Sequence, residues 1–236
     1  MKRIYLLFLI ITCPTVWAFK MTPMITSIHP AEKEYSTLFT LINDKNEKAA
    51  IQLSIAHRKM DAFGKEKHPL ANQLFQVFPE QLILNPNEKR IVKVTWISKE
   101  IPKNELPFRI ISEQLPIDLS KKKKKTGINI LMRYIGALYI APAKENPNIK
   151  IETYSFDSKK KQLKLVIKNN GNTHKVLLKP KLILSQGKSI VELTGIKKLK
   201  GLISENVLAQ SKRIFYIPWP KELNSKDLFK VSLHFE

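Results

Sequence analysis

The sequence predicts an all-β protein built from two β-sandwich domains. Segments rich in β-branched and aromatic residues recur at short intervals along the 236 residues, separated by clusters of Pro, Gly, Asn and Lys. No segment sustains a helical period between capping residues. Two prolines interrupt the strand pattern at residues 141–148, and this break predicts a short elbow between the domains. The alternative is one large sandwich with a proline bulge at the same place.

The first part of the chain divides into segments of one strand each. Residues 36–43 and 50–61 alternate apolar and polar side chains, and they stop at an Asn-Asp pair and before a turn at Gly64. The next segments of this kind are "QLFQVFP", "QLILNPNEK", "RIVKVTWIS" and "FRIISEQLP". Pro86 and Asn87 predict a turn between two of these strands, and therefore a hairpin.

The same pattern resumes after the elbow. The predicted strands are "IKIETYSFD", "KQLKLVIKNNGN", "HKVLLKPKLILS", "IVELTGIKKL", "RIFYIPWP" and "LFKVSLHF". Residues 168–172, "KNNGN", predict a tight turn made of residues that tolerate positive φ. We therefore expect domains at residues 19–142 and 143–236. Trp219, between two prolines, has no role that the sequence assigns.

Residues 1–18 have the pattern of a secretory signal peptide. Lys2 and Arg3 precede an apolar run over residues 4–11, and the segment ends in Val-Trp-Ala, which predicts cleavage after Ala18. The alternative, a membrane anchor, is disfavoured because the run is shorter than the ~20 residues that span a bilayer. The only cysteine, Cys13, lies in this segment. The mature chain then has no disulfide, no thiol nucleophile and no cysteine metal site.

The charge is strongly positive. The chain has a formal net charge of +21, which becomes +19 over 218 residues once Lys2 and Arg3 are removed. Such a charge attracts nucleic acid, anionic lipid or lipopolysaccharide, and nucleic acid is the least expected of these for an exported protein. One interpretation is therefore a cationic cell-envelope protein that docks on anionic lipid or lipopolysaccharide. The other is a basic composition without a binding role, because the lysines are spread over the whole chain.

Nothing in the sequence predicts an enzyme, a cofactor or a metal site. The five histidines are single, with no H-x-x-x-H or H-E-x-x-H spacing, and we interpret each as a surface or strand-end residue. Nucleophile-elbow, P-loop and dinucleotide-binding motifs are missing, and seven glycines leave little for a phosphate-binding loop. The acids Asp61, Glu105 and Glu113 have no spacing that indicates a catalytic pair. No catalytic residue is predicted.

Residues 127–140 are the most informative segment. In an extended strand one face carries Ile128, Ile130, Met132 and Tyr134, and the opposite face is also mostly apolar. Apolar residues on both faces indicate burial on both sides, yet five lysines at 121–125 immediately precede the strand. One interpretation is a core strand after a charged loop. The other is a strand that extends beyond its own sheet and is offered to a partner sheet.

Several of these segments resemble a known family. Residues 22–142 are similar to the N-terminal domain of the periplasmic chaperones that assemble pili through the chaperone–usher pathway. The most specific pieces are the P-x-x-x-x-L-x-P pattern over 79–86, the Val-Thr-Trp strand end at 94–96, and "FRIISEQLP" followed by a long loop. Asn43 at the end of its strand also fits, and the "EQLP" piece suggests the archaic branch. The second half is similar only weakly, at residues 165–177.

The resemblance implies a fold, a mechanism and partners. It implies two immunoglobulin-like domains set at an angle, a periplasmic location and no enzymatic activity. The partners are pilin subunits, which lack their last strand, and an outer-membrane usher that receives them. The chaperone donates its G strand, here residues 127–140, to the subunit, so Ile128, Ile130, Met132 and Tyr134 become the subunit-binding side chains. An exposed donor strand also leaves open self-association of the free protein.

The resemblance further implies a basic anchor for the C-terminal carboxylate of the subunit. The usual arginine on the first strand and lysine on the G strand are missing here, since the first strand has no arginine and the second position falls near Ala137. Arg109 and Arg133 are the basic residues embedded in apolar strands near the expected cleft. They are therefore the predicted anchor residues.

Overall fold

The computed structural model describes residues 19–117 and 130–235. The predicted signal peptide, the lysine run at 121–125 and Ile128 lie outside the described residues. Within the described part, no helix is long and apolar enough to cross a membrane.

The first part of the chain forms two sheets that face each other. The strands are β1 (Phe19–Thr22), β2 (Ile25–Ile28), β3 (Ser36–Asn43), β4 (Ala49–His57), β5 (Lys59–Met60), β6 (Glu66–Lys67), β7 (Phe75–Phe78), β8 (Gln81–Leu84), β9 (Lys89–Trp96), β10 (Leu106–Gln114) and β11 (Arg133–Ile140). One sheet has the order β1-β3-β9-β7 and the other β2-β11-β10-β4-β8, while β5 and β6 form a separate small hairpin. Short 3₁₀ turns lie at Pro30–Glu32 and Asn72–Leu74.

The second part forms a smaller sandwich. Its strands are β12 (Ile149–Asp157), β13 (Gln162–Asn169), β14 (Lys175–Val176), β15 (Pro180–Gln186), β16 (Ser189–Leu193), β17 (Asn206–Val207), β18 (Lys212–Pro218) and β19 (Lys230–Phe235). Sheets of order β12-β13-β18 and β16-β15-β19 are accompanied by the short pair β14-β17. A single helical turn, α1 (Gly195–Lys198), lies where the sequence pattern predicted a continuous strand.

Each sandwich has its own apolar core, which argues against one large sandwich. The first core combines residues from both sheets of the first part, among them Phe19, Phe39, Leu53, Phe108 and Leu138. The second core includes Leu163, Leu165, Leu184, Phe215 and Ile217. The first core ends in sequence at Ile140 and the second begins at Leu163. The domain boundary at 142/143 remains a prediction between these two residues.

The turn at residues 85–88 is present, but the predicted hairpin is wrong. The Glu88 amide donates to the Asn85 carbonyl at 3.2 Å, yet β8 pairs with β4 whereas β9 pairs with β3 and β7. The turn therefore connects the two sheets of the sandwich. The fully buried Asn43 fixes this corner, since its Nδ2 donates to the carbonyls of Leu84 and Asn85 at 3.3 and 3.0 Å.

The turn at 168–172 forms for a different reason from the one predicted. None of its residues has a positive φ. Gly171 is instead required by close packing, because a Cβ there would lie 2.1 Å from the Asn146 carbonyl oxygen in the chain that joins the sandwiches. Asn169, fully buried, donates to the carbonyls of Thr173 and Val207 at 2.7 and 3.1 Å, so the second sandwich has a corner asparagine like the first.

Trp219 has a structural position that the sequence did not assign. Its ring packs edge-on against Phe156 and Phe229, with centroids 5.0 and 4.9 Å away. Its Nε1 donates to the Leu223 carbonyl at 2.9 Å. The tryptophan therefore closes one end of the second core.

Candidate functional site

Strand β11 is paired unevenly on its two edges. Along its whole length it pairs antiparallel with β10, from Arg133 opposite Glu113 to Ile140 opposite Leu106. On its other edge β2 pairs in parallel with residues 137–140 alone. Among the described residues no strand pairs with this edge at 133–136. The edge is thus open to pairing with another chain at 133–135, whereas Gly136 beside it is buried.

The residues before β11 continue toward solvent. Tyr134 and Met132 are partly buried against the first core, and the Tyr134 ring lies edge-on to Phe19 with centroids 4.9 Å apart. The Met132 carbonyl still accepts a hydrogen bond from the Gln114 amide at 2.9 Å. Ile130 is 69% exposed, and Leu131 beside it is also exposed. The burial of the predicted subunit-binding side chains therefore decreases along the strand, from Tyr134, which packs on the core, to Ile130, which is exposed.

Arg109 lies in a compact ionic cluster on the outer face of β10. Its Nε and Nη2 donate to the two carboxylate oxygens of Glu66, at 2.9 and 2.7 Å. Arg58, just after β4, approaches the same carboxylate with Nε and Nη2, both 2.8 Å from Oε1. His68 Nε2 lies 2.8 Å from Oε2. The cluster therefore places two guanidinium groups on one carboxylate.

The Glu66 carboxyl is held in its charged form. Burial by itself would raise its pKa, but the hydrogen bonds from Arg109 and His68 and the charges of Arg58 and Arg109 outweigh burial and lower the pKa to about 2. The side chains of Arg58 and Arg109 are only 7% and 17% exposed. Water screens this cluster less than it screens ion pairs at the surface.

Acid should weaken the protein through Glu66. Because the folded pKa lies below the usual value of 4.5, the stabilisation is fully present above about pH 5 and is lost as the pH falls toward 2. The wild type should have a larger unfolding free energy than Glu66→Gln at pH 6. We expect this difference to be smaller at pH 3 by about 1 to 2 kcal/mol. Urea unfolding of both proteins at both pH values measures this, and a pH-independent difference would contradict it.

Arg133 lies apart from this cluster. It is at the start of β11, four register positions from Ala137, which is the residue opposite Arg109. Its Nε pairs with Glu113 Oε1 at 2.6 Å across the two strands, and its side chain is 52% exposed. The two predicted anchor residues therefore share a face of the sheet without meeting.

Tyr139 joins the ionic cluster to the second sandwich. Its ring stacks on His174 with centroids 4.1 Å apart and planes 9° apart. Its hydroxyl accepts hydrogen bonds from Arg58 Nη1 at 2.8 Å and from Asn206 Nδ2 at 3.0 Å. Burial raises the pKa of the Tyr139 hydroxyl, so it stays neutral and keeps its own proton. Tyr139 is 2% exposed, and it fills the space between the two sandwiches.

A histidine–glutamate contact lies beside this stack. His174 Nδ1 lies 2.8 Å from both carboxylate oxygens of Glu105, a residue of the first part whose side chain is 4% exposed. His174 directly precedes β14 and His68 directly follows β6, so both lie at strand ends, as interpreted from the sequence, and His68 also contacts Glu66. Arg58, Glu66, Tyr139 and His174 have no sequence motif that joins them.

The described residues hold no group of three or more His, Cys, Asp and Glu side chains arranged to bind a metal ion.

Comparison with known proteins identifies the family. Residues 20–145, more than half of the chain, match the model of the family described as pili and flagellar-assembly chaperone, PapD N-terminal domain. The chain belongs to this family. The family resemblance that the sequence motifs indicated is thereby confirmed. No curated protein matches the sequence.

Solved structures share the whole architecture of this chaperone-family protein. The class 5 fimbriae chaperone CfaA matches with a TM-score of 0.58 at 16% identity, over 91% of this chain and 98% of that one. The chaperone CsuC of Acinetobacter baumannii, solved with the tip subunit CsuE, gives 0.56 at 18%, over 91% and 97%. The chaperone SafB of Salmonella enterica, solved with the pilin SafA, gives 0.59 at 14%, over 87% and 86%. The predicted pair of immunoglobulin-like sandwiches is confirmed, and the archaic branch stays a prediction.

Proposed function

We propose that this protein is a non-enzymatic periplasmic chaperone that stabilises incomplete pilin subunits by donating β11 and the residues before it. The observation that supports this proposal is the open edge at 133–135, which continues into the exposed Ile130. The chaperone then delivers the subunit to an outer-membrane usher. Removal of residues 1–18 after export places the mature protein in the periplasm.

Strand addition suits the geometry of this edge. The backbone N–H and C=O groups at 133–135 that point away from β10 supply hydrogen bonds to a subunit strand, and these bonds are independent of sequence. Ile128, Ile130, Met132 and Tyr134 supply the side chains that fill the subunit's groove. Tyr134 and Met132 already pack on the chaperone core. The apolar side chains on this face of the strand therefore connect the chaperone core with the groove of the subunit.

The ionic cluster is the proposed anchor for the C-terminal carboxylate of the subunit. Arg109 was predicted for this role, and the structure adds Arg58 beside it. A guanidinium binds a carboxylate with two parallel hydrogen bonds, and such a pair is strongest where water is excluded. Arg133 remains a second predicted anchor, although its exposure and its pairing with Glu113 make it the weaker candidate.

Co-purification with a pilin subunit tests the proposal. The chaperone is co-expressed with a candidate subunit gene from the same genome, and the periplasmic extract is purified in about 1 M salt, where the Debye length is about 3 Å. We expect a 1:1 complex that survives salt, because the shared sheet buries apolar side chains. Loss of every partner in salt would contradict strand donation and favour the cationic protein that docks on anionic lipid or lipopolysaccharide.

A further inference from the structure

We propose that Glu66 is an internal placeholder, whose carboxylate occupies Arg58 and Arg109 and must leave before these arginines bind a carboxylate ligand. The inference rests on the proposed anchor role of the cluster and adds its regulation. A C-terminal carboxylate and the Glu66 side chain have the same charge and the same two acceptor oxygens. Each therefore competes for the same guanidinium donors.

The contacts show that Glu66 takes the position of a ligand. Arg109 holds it through two donors, one to each oxygen, at 2.9 and 2.7 Å. Arg58 adds two donors to Oε1 at 2.8 Å. An incoming carboxylate would need these same donors. While Glu66 is in place, the guanidinium edges that face it are occupied.

The charges show that a ligand carboxylate can replace Glu66 without changing the net charge of the cluster. Arg58 and Arg109 bring two positive charges and Glu66 brings one negative charge. The third donor group of Arg58 binds the neutral hydroxyl of Tyr139. The other neighbour, His68, adds no negative charge. Two poorly exposed guanidinium groups thus share one carboxylate, and exchange for a ligand carboxylate would replace one charge with an equal one.

The backbone around Glu66 allows such an exchange. Glu66 lies on β6, which pairs with β5 through only two residue pairs, Lys59 with Lys67 and Met60 with Glu66. The loop between them is closed by Asp61, whose Oδ1 accepts from the amides of Phe63 and Lys65 at 2.9 Å. Separating two strands that share only two residue pairs requires less free energy than opening one of the longer sheets.

The tip of the same hairpin contacts the second sandwich. The Ala62 carbonyl accepts from the Ile214 amide of β18 at 2.7 Å. At Gly64, with φ +87°, a Cβ would lie 2.3 Å from Arg213 Nη2, so Arg213 lies directly against the loop. The hairpin is therefore held by the second sandwich at its tip and by Arg58 and Arg109 at Glu66. Displacement of Glu66 frees one of these two attachments.

A peptide pair tests the placeholder. The probe is N-acetyl-glycyl-phenylalanine with a free carboxylate, and its C-terminal amide is the control ligand. We expect Glu66→Gln to bind the acid at least tenfold more tightly than the wild type does, and neither protein to bind the amide. Adding Arg109→Gln to Glu66→Gln should abolish the gain. Glu192→Gln, which removes an exposed carboxylate paired with Lys181 in the second sandwich, should bind the acid as the wild type does.

Hydrogen exchange on the wild type gives a second test that needs no variant. A saturating concentration of the free-carboxylate peptide should accelerate hydrogen exchange at the backbone N–H groups of the β5–β6 hairpin. The peptide with the C-terminal amide should not. Three results would each overturn the placeholder. The free-carboxylate peptide could bind the wild type and a folded Glu66→Gln with equal affinity, it could bind without faster exchange in the hairpin, or it could bind neither protein. Subunit co-purification is a separate measurement, so these outcomes contradict the placeholder even where the wild type captures its subunit.

Discussion

Ile130→Asp should weaken capture of a pilin subunit by at least about a hundredfold and leave the free chaperone folded. Ile130 is 69% exposed in the free protein, so the aspartate meets water and costs little there. In the proposed complex the same side chain enters an apolar groove of the subunit. The loss of apolar burial, about 1.5 to 3 kcal/mol, is then added to the cost of burying a charge without a partner.

The control for this substitution is Ile190→Asp. Ile190 is an isoleucine of similar exposure, 72%, on β16 in the second sandwich. Both variants should melt within about 2 °C of the wild type, and Ile190→Asp should keep the subunit. The yield of complex after co-purification and the melting temperature of each free chaperone are the measurements. A stable complex with Ile130→Asp would rule out donation through this face of the strand.

Most strands were predictable because alternation is a local property. Residues 36–43 and 149–157 form strands at the predicted positions. In 36–43 the buried side chains alternate along the strand, whereas a bulge between Ile151 and Thr153 interrupts the alternation in 149–157. Strand partners are not local. The sequence predicts the turn at 85–88, but its flanking strands enter different sheets because β8 pairs with β4 and β9 pairs with β3.

The donor segment and the ionic cluster differ in how far sequence reasoning reaches. The segment 127–140 was identified because it is apolar on both faces next to a lysine run, and that signal lies within one stretch of chain. The cluster joins residues far apart in sequence, since Arg58 and Tyr139 are 81 positions apart and Arg109 and Glu66 are 43 apart. A single glutamate in a polar stretch of sequence gives no sign that two arginines will bind its carboxylate.

Tyr139→Ala should uncouple the two sandwiches. Removal of a fully buried aromatic side chain costs about 3 to 5 kcal/mol, and here the donors on Arg58 and Asn206 lose their acceptor as well. The stacked ring of His174 would lose its neighbour. Each sandwich keeps its own core, so we expect the variant to stay folded in both halves but to melt in two separate calorimetric transitions.

Tyr139→Phe separates packing from hydrogen bonding at the same position. The phenylalanine keeps the stack on His174 and loses only the hydroxyl, so it should lower the free energy of unfolding by about 1 to 2 kcal/mol and keep a single transition. The hydroxyl is shared by Arg58, which also holds Glu66, and by Asn206 of the second sandwich. A single transition for Tyr139→Ala, shifted no further than that of Tyr139→Phe, would mean that Glu105 with His174 and the Ala62 contact hold the sandwiches together without the tyrosine.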